Sequence, residues 1–179
     1  MTANDFLPSD YTQPTPPSQY MKFKEGENKF RILSKPIIGW EDWTPEKKPI
    51  RFPMENKPDH PIVPKKAIKH FWAMIVYNYQ EKAINILEIT QATIQAAITN
   101  LIKDSDWGAP YDYDIKVNRT GQGMEDTEYA VSPSPKKPIN EDIIFMFRST
   151  PCQLDKLFSG ADPFDCTTGD KLQASDLDI

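Results

Sequence analysis

Cysteine is scarce. Cys152 and Cys166 are the only two in 179 residues, too few for a disulfide scaffold, and a reducing compartment is the simpler setting. No apolar run approaches the roughly 20 residues of a membrane-spanning helix. The opening Met1-Thr-Ala-Asn-Asp-Phe6 has neither the basic start nor the apolar stretch of a secretory leader. A soluble intracellular protein without membrane attachment is expected.

Catalytic signatures are also missing. Gly121-Gln-Gly123 lacks the further glycine and the following helix of a phosphate-binding loop. No Gly-x-Ser-x-Gly nucleophile elbow occurs. Asp104, Asp106, Asp112 and Asp114 span a helix end and a loop, with no acidic partner at a sheet centre. They read as a solvated loop rather than a Mg²⁺ site of a nuclease. His60, His70, Cys152 and Cys166 include no close Cys-x-x-Cys pair and read as unrelated residues rather than zinc ligands. The expectation is no catalytic residue, no metal and no cofactor.

What is present is proline and a divided charge. Seventeen prolines with 39% hydrophobic residues indicate an ordered domain flanked by extended segments. The net charge is −5, but Tyr20 to Trp72 holds 12 basic and 7 acidic side chains, whereas Pro138 to Ile179 holds 3 and 8. A basic front and an acidic end point to a polyanion site and a segment able to compete for it.

The chain divides accordingly. Residues 1–19 are polar and proline-bearing and read as disordered. Residues 20–137 carry the β pattern, and residues 138–179 form an acidic tail with two short docking segments, Ile143–Phe147 and Leu154–Phe158. A first strand starts at Phe30 and continues through Trp40, kinked at Pro36. Glu41 to Lys66 is a proline-rich excursion outside the central sheet, carrying Trp43, Lys47, Lys48, Arg51, Phe52, Lys57, Lys65 and Lys66. Lys69–Tyr79 and Ile84–Ile89 form a hairpin rich in aromatic and β-branched residues. Thr90 reads as the N-cap of a helix bearing Ile94, Ile98, Leu101 and Ile102 at helical spacing. Strands from Tyr113 to Arg119 and from Thr127 to Ser132 follow.

Three strands, a helix and two strands is the chain order of a five-stranded OB barrel with its helix between strands three and four. Such barrels bind nucleic acid on strands two and three and on the loops between strands one–two and four–five. Along the first hairpin strand, Trp72, Met74 and Val76 face one way; Phe71, Ala73, Ile75, Tyr77 and Tyr79 face the other. Both sets are apolar. The first is the more core-like because it lacks phenols.

Tyr20-Met-Lys-Phe-Lys-Glu-Gly-Glu-Asn-Lys-Phe-Arg-Ile-Leu33, Ile37-Ile-Gly-Trp-Glu-Asp-Trp43, Lys69-His-Phe-Trp-Ala-Met74 and Leu87-Glu-Ile-Thr-Gln91 are distinctive as a set. Together they resemble a family of bacteriophage single-stranded DNA-binding proteins. The resemblance spans Tyr20 to Pro135 and the Leu157–Phe164 piece. It implies an OB fold, sequence-tolerant binding of single-stranded DNA, and a role in phage replication, recombination or repair in the cytoplasm of the infected bacterium. The acidic end, Asp176-Leu-Asp-Ile179, and Asp162-Pro-Phe164 are similar in kind to the tails with which bacterial single-strand binders recruit replication enzymes. On that basis Phe164, Asp176, Asp178 and Ile179 are the candidate contacts to phage or host replication and recombination proteins.

The candidate DNA contacts follow from aromatic groups interleaved with cations. Trp40, Trp43, Phe52, Phe71, Tyr77 and Tyr79 are the stacking candidates, with Trp43, Phe52, Phe71 and Tyr77 favoured. Lys47, Lys48, Arg51, Lys65, Lys66 and Lys69 are the phosphate candidates. The competing readings are an OB-shaped adaptor that recruits enzymes through its tail, and a nuclease subunit.

Overall fold

A computed structural model describes residues 11–12 and 18–166. It is mainly β: one mixed sheet of eight strands with few helices. The strands are β1 (Tyr20–Met21), β2 (Gly26–Ile32), β3 (Ile37–Trp43), β4 (Pro49–Pro53), β5 (Lys69–Asn78), β6 (Ala83–Ile89), β7 (Ile115–Thr120) and β8 (Glu128–Pro133). Helix α1 (Ala92–Lys103) separates β6 from β7, and α2 (Glu141–Ser149) follows β8. The main path runs β1-β6-β5-β2-β7-β8, with β3 on β5 and β4 on β3.

The order of long strands, with α1 after the hairpin, agrees with the expectation. The closed five-strand barrel does not. Among the described residues β6 and β8 share no ladder, so the sheet stays open along that seam. The first strand is split at its proline. β2 pairs with Val76–Asn78 and β3 with Lys69–Ala73, so the two halves run along one edge of β5. At the break Leu33 N–H donates to the Ile75 carbonyl, and Ile75 N–H donates to Ser34 Oγ. A side chain thus satisfies a donor that the interrupted backbone leaves free.

The β5–β6 hairpin is buried on both faces. Met74 and Val76 join Phe30, Ile32, Leu87, Ile89, Ile94, Ile98, Tyr113, Ile115 and Val117 in a first core. Phe71, Ala73, Ile75 and Tyr77 join Leu33, Ile84 and Ile86 in a second core, covered by Ile143, Phe147, Cys152, Leu154 and Leu157. This explains the absence of an apolar–polar alternation in β5. The segment expected as a docking tail covers the second face. Asn140 caps α2 by accepting from Asp142 N–H, and a 3-10 turn, Leu154–Ser159, packs beside β4 and β5.

Two boundaries shift. α1 begins one residue later than expected: Gln91, not Thr90, is its N-cap. Gln95 in its first turn reaches back to the carbonyls of His70 and Ile89, which ties the helix to the hairpin. At the front, Ser18 and Gln19 are ordered against β6, their carbonyls accepting from Asn85 Nδ2 and Ile86 N–H. The rest of the proposed N-terminal disordered segment, apart from residues 11–12, lies outside the described residues, as do Asp176, Asp178 and Ile179.

Candidate nucleic-acid interface

The proline-rich excursion contributes a strand at the edge of the sheet. Its first part folds back as β4, an edge strand bounded by Pro49 and Pro53 and paired, among the described residues, only with β3. Prolines fit an edge because no further ladder needs their missing N–H. Gly39 allows the close approach. A Cβ there would collide with the Phe52 carbonyl oxygen and press on the Phe71 ring.

Directly opposed residues of antiparallel strands share a face. On one face of this flap Trp40 stands between Phe52 and His70, and Ile38 lies opposite Trp72. Ile38, Ile50 and Met54 are exposed, while Trp40, Phe52, His70 and Trp72 are half-buried. The result is an apolar and aromatic shelf continuous with the first core but open to solvent.

Trp40 is held at both ends. Its Nε1–H donates to the Met54 carbonyl at 3.2 Å. Its ring lies 5.2 Å from His70, tilted by 53°, and Lys57 Nζ sits 4.3 Å from its centroid. His70 Nε2 accepts from Trp72 Nε1–H at 3.2 Å. An indole N–H only donates, so the imidazole proton lies on Nδ1, which donates to the Gly39 carbonyl at 2.8 Å. Both ring nitrogens are committed, and the tautomer fixes the relation between the two indoles.

Lys47, Lys48, Lys57, Lys65 and Lys66 lie on the connections either side of β4, and Lys57 reaches the shelf at Trp40. Lys47 and Lys65 occupy left-handed turn positions, φ 61° and 69°. Buried Asp42 accepts from Ile62 N–H at 2.7 Å and ties the loop bearing Lys57, Lys65 and Lys66 to β3. Lys47, Lys48, Lys57, Lys65, Lys66 and Lys69 are exposed and form no ion pair with a described residue. Lys69 lies opposite Glu41 and so belongs to the other face.

Several candidates are placed elsewhere. Phe71 is 0% exposed and Tyr77 9%, because the α2 segment covers their face; neither offers a ring to a base. Tyr79 donates to Asp114 at 3.0 Å, and burial, then this bond, push its phenol up to about 12. Arg51 is no free phosphate ligand. Its Nε and Nη2 meet Glu88 at 2.8 and 2.6 Å, and Nη2 lies 3.4 Å from Glu41. Trp43 is half-buried on this second face, its Nε1–H donating to Glu41 at 2.9 Å. Burial, then a bond to Glu88, push the Glu41 carboxyl up to about 8. This knot fastens β4 to β6. Phe164 is half-buried against the second core, an intramolecular position.

His70, Trp72 and Lys57 join Trp40 at this shelf, although the sequence does not single them out as candidates. Trp72 read as core, and Lys57 was one of several loop lysines. Only the pairing of β3 with both β4 and β5 brings them beside Trp40. The aspartates do not converge: Asp112 pairs with Lys136, and Asp114 is buried against Arg31. Among the described residues no three His, Cys, Asp or Glu side chains group as metal ligands, and no helix is long and apolar enough to cross a membrane. The chain matches no protein-family profile, no curated protein and no solved structure.

Proposed function

We propose that this chain is a non-catalytic, sequence-tolerant single-stranded DNA-binding protein. The observation that carries the reading is the half-exposed Trp40–Phe52 pair beside the exposed Lys57, which has no carboxylate partner among the described residues. Aromatic platforms stack any base, and a lysine-lined groove tracks the phosphates without regard to sequence. Duplex DNA keeps its bases paired and offers no face to such a shelf. The position of α1 between the β5–β6 hairpin and β7–β8 supports an OB-type scaffold, opened along the β6–β8 seam. The resemblance of the Tyr20–Pro135 motifs extends the reading to phage replication, recombination or repair in the host cytoplasm, with protein partners recruited through the acidic end.

The deciding experiment is a titration of oligo-dT and of duplex of equal length, with wild type, Trp40→Ala and Phe52→Ala. Wild type prefers the single strand, and each variant loses roughly 1–3 kcal/mol of binding while staying folded. Equal affinity for both DNAs, or unaltered binding by both variants, would sink the reading. The adaptor alternative would then gain support from tail-dependent capture of a replication enzyme.

A further inference from the structure

We infer that Lys57 is a displaceable cap on Trp40. Its ammonium occupies an indole face that a nucleobase takes, and it moves to the incoming phosphate when the base arrives. This rests on the stacking reading above and adds a role within the same site.

The geometry leaves a base few routes to that indole. Its N–H edge is bound to the Met54 carbonyl, and the His70 ring packs against it at a tilt. The position above the ring is held by Lys57 Nζ at 4.3 Å. The 3-10 turn Met54–Asn56 directly precedes Lys57. One short element therefore fixes both the indole edge and the stem of its cap.

The cap is held loosely. Lys57 is exposed and has no ion pair among the described residues. A cation–π contact in water is weaker than a base stacked on an indole. Exchange of one for the other is therefore favourable, and the released ammonium remains beside the nucleotide whose base displaced it. In the free protein the cap shields an apolar ring from water and from other apolar surfaces. In the complex the same charge neutralises a phosphate and releases a counterion.

The test is a salt series of oligo-dT titrations on Lys57→Gln, Lys57→Arg and Trp40→Ala, with thermal unfolding of each. For Lys57→Gln the log–log slope shrinks by about 0.7, the share of one phosphate contact on a single strand. Its affinity is below wild type at low salt and equals or exceeds it at high salt, where the ring is already uncovered. Lys57→Arg retains the wild-type slope. An unchanged slope for Lys57→Gln would overturn the proposal, as would a loss of the same factor at every salt concentration, which marks a packing role. If Trp40→Ala binds as well as wild type, no base stacks on that indole and the cap falls; if Phe52→Ala does so too, the stacking reading falls with it. If Trp40→Ala weakens binding while Lys57→Gln leaves the slope intact, the cap alone falls.

Discussion

Arg31 and Asp114 meet inside the sheet, Nε to Oδ1 at 2.6 Å, with side chains 1% and 0% exposed. The guanidinium also donates to the carbonyls of Tyr111 and Lys137, and Lys29 and Lys137 approach the second carboxylate oxygen. Breaking a buried pair by neutralising one member leaves the other uncompensated. Asp114→Asn should therefore lower stability by about 3–5 kcal/mol in urea unfolding. Burial alone would raise this carboxyl, but the bonds from Arg31, Tyr79 and Lys137 outweigh it and hold it below its ordinary 3.8. A depressed carboxyl stabilises above its unfolded value and loses that contribution as pH falls. The Asn variant should accordingly show a flatter acid limb than wild type.

The two aromatic sets should separate in their effects. Phe71 packs against Phe158 at 6.1 Å between ring centroids, inside the second core. Phe71→Ala should cost about 3–5 kcal/mol of stability through the cavity it leaves. Binding per folded molecule should stay at the wild-type level. Weakened binding by a fully folded Phe71→Ala would mean that the α2 segment leaves this face in solution.

The loop lysines should act through salt alone. Lys65→Ala with Lys66→Ala should flatten the salt dependence by about 0.7 for each lysine that contacts a phosphate. All single-stranded sequences should weaken alike, with the melting temperature unmoved. An unchanged slope would place the phosphate track on another part of the surface.

Glu41 should make stability fall towards alkaline pH. Burial, then the bond to Glu88, raise its folded value from 4.5 to about 8. A carboxyl raised on folding stabilises below its unfolded value, and that contribution disappears as pH rises through the folded one. Glu41→Gln should therefore gain stability relative to wild type between about pH 5 and about pH 9. Unfolding midpoints at the two ends read this directly; a constant difference would show that Glu41 is ionised throughout.

Local chemistry was enough for much of this protein. β-branched and aromatic runs marked β5 and β6, Pro36 marked the break between β2 and β3, and isoleucines at helical spacing marked α1. Face assignment was beyond local chemistry. Phe71 and Trp72 are neighbours on β5, and both faces of that strand are apolar. Which one offers rings to solvent depends on whether Ile143, Phe147 and Leu157 return from the far end of the chain to cover Phe71. Likewise Arg51 reads as a free cation in a basic loop until β4 folds beside β3 and carries it to Glu41 and Glu88. The Trp40–His70–Trp72 arrangement exists only because β3 pairs with β5 in one register, a contact between distant residues that no local propensity encodes.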